Sequence, residues 1–119
     1  MFEIFIPIYD VKLLVSINQS DKQFLADLKK TNYKCGKDCL LEEAAGYFIP
    51  FESGNILIRC KNKLNKPKHI GILVHEILHA TIYILDRAGL KLTNHSDEAY
   101  TYLQEYIVTQ ILKQNKWKK

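Results

Sequence analysis

The stretch Ile70-Gly71-Ile72-Leu73-Val74-His75-Glu76-Ile77-Leu78-His79-Ala80-Thr81-Ile82-Tyr83-Ile84-Leu85 decides how the chain is read. Apolar residues fall on nearly every side of it, which predicts a helix from roughly Lys68 to Ala88 in the middle of a domain, with Pro67 placed to open it and Gly89 to stop it. His75, Glu76 and His79 interrupt the apolar run, and such groups are costly to bury unless something pairs with them. A metal ion would be that partner.

The spacing suits the chemistry. At about 3.6 residues per turn, His75 and His79 project from one face about 6 Å apart along the axis, near enough for both imidazoles to hold one zinc ion. Glu76 is turned about 100° from His75, so it flanks the site and can accept a proton from a water that the ion activates. A tetrahedral catalytic site needs a third protein ligand and one open position. Asp86 shares the stripe but stands about 10 Å further along an unbroken helix. His95, Asp97, Glu98 and Glu105 remain.

A second helix is expected from roughly Ser96 to Lys113, capped by Asn94 or Ser96. Ala99, Leu103, Tyr106, Ile107 and Ile111 form its apolar stripe, while Glu98, Tyr102, Glu105 and Thr109 align on a neighbouring face. Antiparallel packing after a loop of ordinary length would return Glu98 towards His79, which makes Glu98 the first choice for the third ligand, Glu105 the second and His95 the third. Tyr102, one turn from Glu98, is the tyrosine best placed to donate a hydrogen bond to an oxyanion.

Upstream, Phe2 to Tyr9 and Lys12 to Ile17 are rich in β-branched and aromatic residues and predict strands, with a break or an edge at Pro7. Ser20 caps a helix whose Phe24, Leu25 and Leu28 share a face. Asp38 to Ala45 predicts a short helix ended by Gly46. Tyr47 to Phe51 and Asn55 to Cys60 flank Glu52-Ser53-Gly54, a hairpin signal. The order strands, helix, hairpin, helix, helix defines an α+β class: an N-terminal, mostly antiparallel sheet followed by two helices, all in one domain over residues 1–119.

The composition agrees with one soluble domain: 119 residues, 47% apolar and 25% charged. Part of the net charge of +4 lies in Lys113, Lys116, Lys118 and Lys119 around Trp117. Such a short tail reads as solvated surface, so nucleic-acid binding ranks last among the functions considered. Cys35, Cys39 and Cys60 are odd in number and lack Cys-x-x-Cys spacing, which predicts reduced thiols, although a Cys35–Cys39 bridge is sterically open. No apolar run is long enough for a bilayer, and Met1 to Ile8 has neither a basic leader nor a small-residue cleavage site, so a cytoplasmic location is expected.

From His75 to Tyr106 the chain resembles the active-site region of gluzincin metallopeptidases, which carry His-Glu-x-x-His on one helix and a ligand Glu on the next. It also resembles small metallopeptidase-like proteins of bacteriophages and prophages, for which the location would be the host cytoplasm. The resemblance implies a zincin-like domain, His75, His79 and Glu98 as zinc ligands and Glu76 as general base. It further implies that the hairpin Tyr47 to Cys60 is the sheet edge along which a peptide lies. Glu98 departs from the thermolysin-like pattern in following Asp97 where those enzymes have Asn, and Tyr102 does not supply their usual Asp. The expected function is a zinc-dependent hydrolase, a peptidase acting on a peptide or protein substrate. The alternative is a catalytically silent binding module built on the same scaffold.

Overall fold

The computed structural model describes residues 1–41 and 43–115. Glu42 and the tail residues Lys116, Trp117, Lys118 and Lys119 lie outside the described residues. Four strands, β1 (Phe2–Ile6), β2 (Val11–Ile17), β3 (Gly46–Pro50) and β4 (Ile56–Cys60), form one sheet in the order β1-β2-β4-β3. Three α-helices accompany it: α1 (Asp21–Leu28), α2 (Pro67–Arg87) and α3 (Asp97–Gln114). The class is therefore α+β.

β1 pairs with β2 and β3 with β4 antiparallel, whereas β2 and β4 run parallel. The sheet is mixed because α1 and the loop after it carry the chain across before the hairpin begins. Pro7 breaks the first pair of strands as expected: Pro7–Tyr9 is a single 3-10 turn, closed by Asp10 at a φ of 51°.

α1 begins where its sequence says it should. Ser20 Oγ accepts the Gln23 N–H and the Gln23 side chain accepts the Ser20 N–H, a reciprocal capping box. Its Phe24 and Leu28 pack with Leu14, Cys39 and Leu57 on one face of the sheet. On the other face Leu13, Val15, Ile56 and Ile58 meet Leu73, Ile77 and Ile84 of α2 and Leu103, Ile107 and Ile111 of α3. Every residue of β4 is consequently buried.

The segment expected as a helix from Asp38 to Ala45 is a correction. Among the described residues only the 3-10 turn Lys37–Cys39 forms there, and Gly46 starts β3 instead of stopping a helix. A Cβ at Gly46 would lie 3.0 Å from both the Arg59 carbonyl oxygen and Ile72 Cγ2. Gly46 thus sits at a close approach of the edge strand to α2, a demand on space that no local pattern announces. The same turn brings the Cys35 and Cys39 Cα atoms to 6.0 Å, within disulfide reach, and the two sulfurs are joined, so only Cys60 is a free thiol.

An ion pair between a buried arginine and a partly exposed aspartate fastens the far face. Arg59 is fully buried; its Nη1 donates to Asp21 Oδ1 at 2.7 Å and to the Cys39 carbonyl at 2.9 Å, and its guanidinium lies 4.1 Å from the Phe24 ring centroid. That pairing holds the Asp21 carboxyl below its ordinary range, helped by the Leu41 N–H. No helix is long and apolar enough to cross a membrane among the described residues.

Candidate metal centre

The expected placement of α2 in the middle of the domain is also corrected. Leu73, Glu76, Ile77, Ala80, Thr81, Ile84 and Leu85 face the sheet and α3, but His75, Leu78, His79 and Ile82 are exposed. The helices form the outermost layer on their side, so one face of α2 meets water however apolar its sequence. Of the three polar groups in the motif only Glu76 is buried, at 8% exposure.

One turn apart on that exposed face, His75 and His79 converge: their Nε2 atoms are 3.2 Å apart and their rings meet edge to face. Two nitrogens each bound to zinc at about 2.0–2.1 Å with a tetrahedral angle would be separated by about 3.3 Å. The pair therefore fits a shared zinc ion. The donor atoms of His75, Glu76 and His79 all lie within 4.8 Å of one another, and no other such group of His, Cys, Asp or Glu side chains occurs among the described residues.

β3 positions this cluster from the side. Gly46 admits Ile72 and Glu76, whose Cγ would be 3.6 Å from a Cβ at that position. The Phe48 ring lies against His79, with centroids 6.1 Å apart and planes inclined by 20°, and meets the Tyr83 ring edge-on at 5.6 Å. Phe48 was not foreseen as part of the site. The hairpin that bears it is legible, but which of its side chains reaches the histidine is a matter of strand register. Cys60 lies close enough to feel the Glu76 charge; burial first, and that charge second, push its thiol up to about 12, and its sulfur is not in the donor group.

The remaining expected residues are not brought to this cluster. Glu98 is exposed in the first turn of α3, its N–H donating to Asp97 Oδ1 at 2.9 Å, and it is not in the donor group. His95 is exposed in the loop, where its N–H donates to Thr93 Oγ1. Tyr102, 67% exposed, and Glu105 line a groove of about 540 Å³ with Ile6, Pro7, Ile8 and Tyr9, at the β1 edge of the sheet. β3 is the opposite edge. Ser96 precedes α3, yet its hydroxyl accepts the Thr93 N–H at 2.9 Å instead of capping the helix.

No family model, curated protein or solved structure matches this chain.

Proposed function

We propose that this protein is a zinc-dependent hydrolase that cleaves peptide bonds at the His75-Glu76-His79 cluster. The observation that carries it is the 3.2 Å separation of the two imidazole Nε2 atoms with the buried Glu76 carboxylate beside them. His75 and His79 would hold the ion; Glu98, which is not gathered with them, is the third ligand that the resemblance to gluzincins implies. Zinc, when bound, supplies a Lewis acid that polarises a carbonyl and acidifies a water.

The protein's own residues do the rest. Glu76 accepts the proton of the attacking water and returns it to the leaving amine. Glu76 stands next to His75 on α2, at the edge of the helix's buried face. Phe48 limits how the His79 ring can turn, which preserves the spacing of the two nitrogens. Tyr102, first considered as the oxyanion donor, lines the groove at the other edge of the sheet and has no step here.

Elemental analysis of protein purified without a histidine tag tests the site, comparing wild type with His79→Ala and Glu98→Ala. Zinc retained by wild type and lost in His79→Ala supports the site and justifies a peptide-library screen with Glu76→Gln as the control, and loss in Glu98→Ala as well assigns Glu98 as the third ligand. Failure of wild type to retain zinc after addition and dialysis overturns the hydrolase. One observation favours a second reading, a silent binding module: apart from Glu76, which the hydrolase needs as its base, no further donor is gathered with the histidines among the described residues. Bound zinc without turnover across the screen would select it.

A further inference from the structure

The α2 face that bears the two histidines is exposed along its length. Counting about 100° per residue, Lys68, His75, His79, Ile82 and Asp86 fall in a stripe about 60° wide. All five are exposed, and Ile82 at 42% and the flanking Leu78 at 44% present apolar surface to water. Lys68 stands in the first turn and Asp86 in the last. Each is at the end of the helix dipole that disfavours its charge, and neither forms an ion pair among the described residues.

The stripe has a centre. Lys68 and Asp86 are equally far in sequence from Ile77, and so are His75 and His79. We propose that a second copy of this chain packs antiparallel on α2 about a twofold axis at the level of Ile77, enclosing one zinc ion between two His75/His79 pairs. Lys68 of each copy then meets Asp86 of the other.

The coordination chemistry and the charges ask for the same axis. A single chain offers two imidazoles where tetrahedral zinc takes four ligands, and a twofold axis through the ion doubles two to four. Running the helices antiparallel sets each misplaced charge against its opposite and opposes the two dipoles. Leu78 and Ile82 leave water in the same step. The inference rests on the zinc reading of this site and adds its partner: four imidazoles close the position that hydrolysis needs, so the dimer is the latent form and dissociation opens the site.

The test uses untagged, metal-stripped protein titrated with zinc sulfate, following particle mass by light scattering and zinc per chain by elemental analysis. The expected result is a mass that doubles as zinc reaches one ion per two chains, with His79→Ala remaining at the single mass. Lys68→Asp alone and Asp86→Lys alone each weaken dimerisation about tenfold, and an equimolar mixture of the two variants recovers it, since every cross-pair then joins opposite charges. Both substitutions are at exposed positions, so they remain informative if the histidine variant fails to fold. One zinc per chain at the single mass overturns the dimer and leaves the hydrolase standing, whereas no retained zinc overturns both. Unchanged dimerisation in the two charge variants overturns the antiparallel register.

Discussion

Glu76 and the two histidines are neighbours on one helix held in opposite surroundings, and their roles follow from that difference. The histidines reach water, where an ion can find them; Glu76 stands beside them on the covered side of the same helix. Glu76→Gln should therefore keep zinc while lowering peptide turnover about 10²–10⁴-fold, read by elemental analysis and initial rates on the same preparation. Asp21 gives a second prediction at this scale. Its hydrogen bond from Arg59 lowers its folded-state value below the ordinary 3.8. A lowered value contributes stability that is present above about pH 4 and lost as the pH falls through the folded-state value. The melting temperature should thus hold from neutral pH to about pH 4.5 and fall below that. Asp21→Asn should flatten part of that acid limb; the remainder belongs partly to Asp27, which Gln19 holds low in the same way.

At the scale of elements, what could be read in advance is what local rules govern. The Ser20 cap, the hairpin around Gly54 and the helix opened by Pro67 depend on residues within a few positions of one another, and each formed where expected. Ser20→Ala should accordingly cost about 1 kcal/mol in denaturant unfolding. The His75/His79 pair was legible for the same reason, one turn being a local distance. Gly46 was not. Read as a helix stop, it is instead a tight contact between β3 and α2, set by the Arg59 carbonyl on the paired strand and the Ile72 methyl on the helix, both far away in sequence. The positions of Glu98 and Tyr102 were illegible likewise, because the turn of α3 about its own axis is decided by Tyr100, Leu103, Ile107 and Ile111 meeting the core. Gly46→Val should test the contact directly. The strand backbone cannot yield, so the edge or α2 must shift, at a cost of about 1–3 kcal/mol and with weaker zinc retention.

For the whole molecule, the question is whether the metal holds the fold or the fold holds the metal. The two apolar clusters lie on opposite faces of the sheet, and neither includes His75 or His79. The Arg59–Asp21 pair ties α1 to β4 on the face away from the histidines. The two imidazoles are placed by a helix whose inner face is buried independently of them, with the Phe48 ring alongside. Small zinc domains whose ligands lie on otherwise unpacked segments unfold when the metal is removed, since there the binding energy is the folding energy. This protein should do otherwise. Chelator-treated protein should keep its far-ultraviolet circular dichroism and its cooperative melt. Zinc should raise stability only by mass action, about 2.7 kcal/mol when free zinc exceeds the dissociation constant a hundredfold. His79→Ala should melt near the metal-free wild type and show no zinc-dependent rise. If chelation instead abolishes the cooperative transition, the core around β4 is insufficient by itself, and zinc on α2 must be counted among the forces that hold the helices to the sheet.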